Sequence, residues 1–155
     1  MSIRAMSRSA PSAVAATIVV TSVLTVRTSG RGFVDLTPEI EAFLRQVDAG
    51  EGMVTAFIRH TSASLTIQEN ADPSVLRDLD TALSRLAPEN AGWTHDAEGP
   101  DDMPGHVKTM LTSTSLQVPV RDRAMMLGTW QALYLIEHRS RPHTREVVLQ
   151  FIGSA

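Results

Sequence analysis

Two proline-marked helix starts in an otherwise strand-like chain limit the fold more than any other feature. Thr37-Pro38-Glu39 sets a capping hydroxyl, a proline and an acid where a helix begins. Ile40, Phe43, Leu44 and Val47 then recur at the spacing of one helical face, and residues 48–52 end the run. Asp72-Pro73 opens a second helix by the same capping logic. Val75, Leu76, Leu79, Leu83 and Leu86 form its expected buried stripe, and Pro88 closes it. Residues 105–112 read as a short third helix. Residues 17–28, 53–59, 64–68, 116–120, 125–127, 130–137 and 145–151 are rich in branched and aromatic side chains and read as strands. Neither a repeat nor an inter-domain linker is visible. The expected fold is a compact single α+β domain over residues 17–155, with a mixed or antiparallel sheet and two to three helices.

Composition narrows the partners. A length of 155 residues, 43% apolar and 20% charged, is that of one globular domain with a proper core. The formal charge of −3 argues against nucleic acid as the main partner. With no cysteine there is no disulfide, thiolate ligand or thiol nucleophile, which fits a cytoplasmic setting. Residues 1–16 hold Arg4 and Arg8 among serines and alanines without an acid, and read as a disordered N-terminal tail, with a targeting peptide as the alternative. Thr17, Thr21, Ser22 and Thr25 interrupt the apolar run at 13–26, so it reads as strand and no membrane partner is expected.

The chemistry concentrates in residues 95–106, HDAEGPDDMPGH, which hold two histidines, four acids and two prolines. Neutral imidazole and carboxylate are ligands for divalent metals and the usual carriers of protons near neutral pH. A second polar group lies upstream at His60-Thr61-Ser62-Ala63-Ser64 and Glu69-Asn70-Ala71-Asp72-Pro73, and the two read as one composite site. His60, His95 and His106 suit an open metal site, although no tight HExxH-type spacing joins them. Asp72 has a sufficient structural role as a helix cap, and Glu98, Asp101 and Asp102 are also readable as solvated loop acids. Gly128-Thr129-Trp130-Gln131 suits a planar ring or an anion, or else is a bulge beside a core tryptophan. Lys108, Arg77, Arg139 and Arg141 are available to neutralise phosphate, but no glycine-rich nucleotide loop is present.

Three blocks carry a resemblance: RHTSASLTIQENADPSVLRDLD, HDAEGPDDMPGHVKTMLTSTSLQVPV and LGTWQALYLIEH. In order and content they resemble the signature blocks of the YjbQ family, which is associated with a secondary thiamine-phosphate synthase activity. The resemblance runs from about residue 17 to the C-terminus. It implies an α+β subunit that assembles as a homotrimer with clefts near the subunit contacts. It further implies a metal or catalytic cluster at His60, His95 and His106. The family's E-N-A-D-P falls on residues 69–73, its E-G-P-D-D on 98–102 and its G-T-W-Q on 128–131. Two positions depart from the family pattern. Ile136 stands where a cysteine is common, which removes any thiol mechanism, and Arg123 replaces a turn glycine after Asp122.

The reaction implied joins a pyrimidine methyl diphosphate to a thiazole phosphate and releases pyrophosphate. It needs cationic groups for the departing diphosphate, a flat wall for the pyrimidine, and an in-line thiazole nitrogen. The expected roles are His60, His95 and His106 on a divalent metal (magnesium or zinc), with Glu69, Asp72, Glu98 and Asp102 as the catalytic and orienting carboxylates. Asn70, Lys108, Thr129, Gln131 and Arg139 are the expected contacts to a small phosphorylated substrate. Two rival readings use the same residues: a metal-dependent hydrolase of a small phosphorylated metabolite, and a non-enzymatic trimer that binds a metal or anion.

Overall fold

The structure, a computed structural model, describes residues 5–155. The expected 1–16 tail begins with residues 1–4, which lie outside the described residues; residues 5–17 carry neither helix nor strand. The order from there is β1 (Ile18–Thr28), β2 (Gly32–Asp35), α1 (Thr37–Gln46), β3 (Gly52–Ile58), β4 (Ala63–Glu69) and α2 (Pro73–Leu86). It continues with α3 (Asp102–Leu111), β5 (Ser115–Arg121), β6 (Ala124–Met125), β7 (Gln131–Glu137) and β8 (His143–Gly153).

The strands form two antiparallel sheets, one five-stranded in the order β1-β8-β3-β5-β6 and one three-stranded in the order β2-β7-β4. Alternation along each strand sends one set of side chains between the sheets. Val54, Ala56, Ile58, Val118, Val147, Leu149 and Phe151 from the larger sheet share a core with Leu65, Leu133 and Leu135 from the smaller. Helix α1 adds Ile40, Phe43 and Leu44 to that core. Where β3 and β8 pair at Gly52 and Gly153, a Cβ on Gly52 would lie 2.2 Å from the Ile152 carbonyl oxygen, so the strands approach only because no side chain is there.

The outer face of the smaller sheet lies under α2 and α3, which makes β7 buried on both sides. Three sequence expectations change here. Thr37 is not the cap of α1: its hydroxyl accepts a bond from Leu133 N–H at 2.9 Å, and Asp35 Oδ1 accepts the Thr37 N–H at 2.9 Å. The stripe of α2 is not buried. None of its residues is fully covered, and Leu86 is 67% exposed. Helix α3 starts three residues earlier than its apolar pattern implied, because Pro104 falls in the first turn, where a missing N–H costs no helical bond. Asp72 does cap α2, accepting the Ser74 N–H at 2.8 Å.

Candidate metal centre

The early start of α3 builds the site. Asp102 and His106 lie one turn apart and share a face of the helix. His95 reaches the same face from the loop after α2. Asp102 Oδ2 lies 2.8 Å from His95 Nε2 and 3.3 Å from His106 Nε2, and the ring centroids are 5.5 Å apart and steeply inclined. One ligand atom from each of the three residues falls within 4.8 Å of the others. Two imidazole nitrogens and one carboxylate oxygen are a donor set that zinc and similar divalent metals accept, with positions left over for water or substrate. The residues present therefore fit a divalent metal.

Arg139 holds the second oxygen. Its Nη1 donates to Asp102 Oδ1, its Nε to Asp101 Oδ1 at 3.2 Å, and its Nη2 to the Glu98 carbonyl at 2.7 Å. All three nitrogens of the fork are thus engaged in holding the loop. The Gly99 backbone, at φ +109, turns the loop so that the Glu98 carbonyl meets the guanidinium. Burial opposes the Asp102 charge, but the His95 hydrogen bond and the Arg139 charge outweigh it and hold its pKa below the ordinary carboxylate value. Asp101 behaves likewise: burial opposes, and the Ser140 N–H and hydroxyl, at 2.7 and 3.0 Å, prevail.

Two cavities flank the turn at Gly99 and Pro100. One of about 360 Å³ is lined by Glu89, Asn90, Trp93, His95 and Asp96, and one of about 530 Å³ by Glu98, Asp101, Arg139, Ser140 and Arg141. Trp93 lines the smaller cavity together with His95, its Nε1 donating to the Pro88 carbonyl at 2.9 Å. Sequence reasoning missed it in favour of Trp130; the signal was an indole two residues before His95.

The other expected site residues lie elsewhere. His60 stands apart from the cluster. Its Nε2 accepts the Glu146 N–H at 2.9 Å, and burial, helped by the Arg145 charge, lowers its pKa. The ladder pairs Glu69 with Gln131 and Ala63 with Glu137, so Glu69, Asn70, Thr129 and Gln131 occupy one end of the β4–β7 pair. The His95–Asp102–His106 cluster sits past the other end, where Gly105 of α3 packs on Ser62. Six strand steps, roughly 20 Å, separate the two groups within a subunit. Trp130 is 64% exposed rather than in the core, and Gln131 Oε1 closes its own turn by accepting the Gly128 N–H at 2.8 Å. Asp72 remains at its capping position. Lys108, two residues past His106, projects from the opposite side of α3.

Beneath the cluster runs a buried polar layer that the sequence did not announce. Glu137 and Arg145 form an ion pair at 2.6 Å, with Thr28 Oγ1 donating to Glu137 at 2.9 Å and Arg145 Nη2 to Ser62 Oγ at 3.0 Å. Glu137 Oε1 also accepts the Arg139 N–H at 3.0 Å, which ties the clamp on Asp102 to this layer. Beside it, His138 Nε2 meets Ser64 Oγ at 2.8 Å, and burial together with the nearby Lys108 charge lowers the His138 pKa to about 3.

A two-sheet antiparallel α+β domain with a His–Asp–His cluster clamped by arginine defines the class. The chain belongs to the YjbQ/UPF0047 family: residues 22–154 match the family described as "UPF0047 protein YjbQ-like". A Synechocystis UPF0047 protein is 44% identical over 132 residues, 84% of this chain and 90% of the relative. The Salmonella typhimurium UPF0047 protein YjbQ is 40% identical, covering 84% and 95%. Among solved structures, a hypothetical protein of Aeropyrum pernix superposes with a TM-score of 0.80 at 26% identity, covering 87% of this chain and 99% of that one. A YjbQ/UPF0047 protein of Clostridium acetobutylicum gives 0.78 at 31%, covering 84% and 98%. Among the described residues no helix is long and apolar enough to cross a membrane.

Proposed function

We propose that this protein is a thiamine-phosphate synthase-like transferase, with the centre at His95, Asp102 and His106. The observation that carries the reading is that cluster, of which His95 lines a cavity shared with Trp93. In the reaction the thiazole nitrogen forms a bond to the exocyclic methylene carbon of the pyrimidine as that carbon's bond to diphosphate oxygen breaks. The indole of Trp93 offers the flat surface a pyrimidine needs. Asp102, anchored by Arg139, orients both imidazoles. His95, Asp102 and His106 would hold a divalent cation, which would supply positive charge for the leaving diphosphate, and their two nitrogen donors would favour zinc-type ions over magnesium. Arg141, beside the larger cavity, is a further cation for a phosphate.

The same reading includes a homotrimer. The outer face of the five-stranded sheet carries two apolar rows, Val19-Ile152-Met53-Pro119 and Val23-Val148-Phe57. Val19 is 65% exposed and Phe57 44%, an apolar surface that association would cover. Assembly also offers the Glu69–Gln131 end of one subunit a route to the metal centre of another, which a lone subunit does not provide. Light scattering on wild type and Met53→Glu tests this: three copies falling to one supports it, and a monomeric wild type rejects it.

The activity test is a product assay on protein with its metal quantified, given the pyrimidine diphosphate and thiazole phosphate. Thiamine phosphate from wild type and none from His106→Ala supports the reading. Equal background from both, with metal loaded, rejects it. The exposure of the imidazoles to water keeps a metal-dependent hydrolase as the second reading; it predicts turnover of one phosphorylated substrate alone.

A further inference from the structure

The register of the three-stranded sheet sorts its side chains between two faces. Leu65 of β4 is fully buried in the core between the sheets, so Ser64, Thr66 and Gln68 point to the outer face. Ser64 pairs with Ile136 and Ile136 with Phe33, which sets those three side chains in one row across that face. Polar side chains there are costly unless they find hydrogen bonds. Ser64 finds two, meeting His138 Nε2 at 2.8 Å and accepting from Thr112 Oγ1 at 2.7 Å. Thr66 and Gln68, further along the same face, find none among the described residues. Nor does the side chain of Ser113, whose backbone is bonded to Leu65 at 2.6 and 3.2 Å.

These three side chains line a cavity of about 340 Å³. Phe33 and Ile136 form its sheet side, and Leu79 and Leu83, one turn apart on α2, form its helix side. Neither leucine is fully covered, because α2 spans a gap here rather than packing on the sheet. The volume is at the small end of ligand pockets, which run roughly 300–1,000 Å³. Two apolar walls and one polar edge describe a slot for a flat body with a single polar edge.

The slot also selects on charge. None of the side chains that line it is ionisable. The two cavities at the Gly99–Pro100 turn are lined by Glu89, Asp96, Asp101 and Arg139, and the slot shares no residue with either. A charged group entering the slot would shed water with no opposite charge to meet it. Hydroxyls and a side-chain amide both donate and accept, so the edge that matches them does both as well.

We propose that the slot between α2 and the outer face of the three-stranded sheet binds a small, uncharged aromatic molecule with an amide-type edge. Its ring lies among Phe33, Ile136, Leu79 and Leu83, and its polar edge meets Thr66, Gln68 and Ser113. The site does not rest on the transferase reading.

Three probes that share one ring and differ in charge test it: benzamide, benzoate and benzylamine. Each is titrated into the full chain labelled with ¹³C at isoleucine methyls, with the Ile136 resonance assigned from Ile136→Val. Benzamide should shift that resonance saturably, and the two charged probes should bind at least about tenfold more weakly. Thr66→Val and Gln68→Leu each weaken benzamide roughly three- to tenfold, the loss of one neutral hydrogen bond. Leu83→Trp fills the slot and abolishes binding, and His106→Ala binds as wild type does. Should Leu83→Trp fail to fold, the wild-type titrations and the two polar variants decide the matter. No saturable shift from benzamide overturns the proposal. So does equal binding of a charged probe, unchanged binding by both polar variants, or loss of binding in His106→Ala.

Discussion

Asp102 divides its carboxylate, giving Oδ1 to Arg139 and Oδ2 to the imidazoles of His95 and His106. One oxygen is fixed to the fold and the other faces the chemistry. A ligand held this way keeps its orientation when the cluster gains or loses a cation.

Replacing Asp102 with Asn removes the charge while keeping the shape. Zinc affinity should fall by about 10–100-fold, in the range seen when a metal centre loses charge or its supporting contacts. Calorimetry with zinc on both proteins reads the change directly, and an unaltered affinity rules Asp102 out as a ligand.

Glu137→Ala strands Arg145, which is 4% exposed and has only Ser62 left to bond. A buried pair broken on one side costs about 3–5 kcal/mol. Urea unfolding should show a loss of that order. A loss below about 1 kcal/mol would falsify the view that this pair is a dry, coupled unit.

His138 predicts an acid-sensitive fold. Its native imidazole stays neutral down to about pH 3, whereas the unfolded side chain takes a proton near its ordinary value of 6.5. The unfolded state therefore binds more protons throughout that window, and stability falls as pH falls through it. The limiting slope is about 1.4 kcal/mol per pH unit for one proton. Glu137 acts in the same direction at lower pH: burial opposes its charge, but the Arg145, Arg139 and Thr28 hydrogen bonds lower its pKa, so its contribution is lost below the ordinary carboxylate value. His138→Gln should flatten the dependence between pH 6.5 and 5; an identical slope in the two proteins contradicts the buried neutral imidazole.

Arg123 stands at φ +66, following Asp122 at φ +50, in a turn that suits glycine. Arg123→Gly relieves about 1–2 kcal/mol of left-handed strain. It gives up an exposed ion pair with Asp48 that contributes about 0–1 kcal/mol. The urea midpoint should rise with an unchanged slope, and a fall would mean that the Asp48 contact outweighs the strain.

The helices were legible because caps and prolines are local signals: Asp72-Pro73 works as its chemistry dictates. Strand β2 was missed because four residues after a turn offer no usable alternation. The stripe of α2 read as core because periodicity reports an apolar face without saying what covers it. The cluster was legible in part. His95 and His106 lie in one dense loop-helix segment, and the helical period joins Asp102 to His106. His60 read as a partner because composition cannot show that its nitrogen is occupied by the Glu146 backbone. The separation of Glu69 from the histidines follows from strand register, a long-range pairing that one sequence does not display.

The five-stranded sheet carries one more consequence. Its second strand in space, β8, is the last in sequence, and it pairs with β1 along one edge and β3 along the other. During synthesis, therefore, β1 emerges well over a hundred residues before β8, its neighbour in the sheet. Until residues 143–153 clear the ribosome, β1 and one edge of β3 offer open hydrogen-bonding rows to any passing chain. Nascent copies translated close together on one message are then each other's nearest hazard, and a chaperone that shields β1 guards the step that joins β1 and β3 through β8.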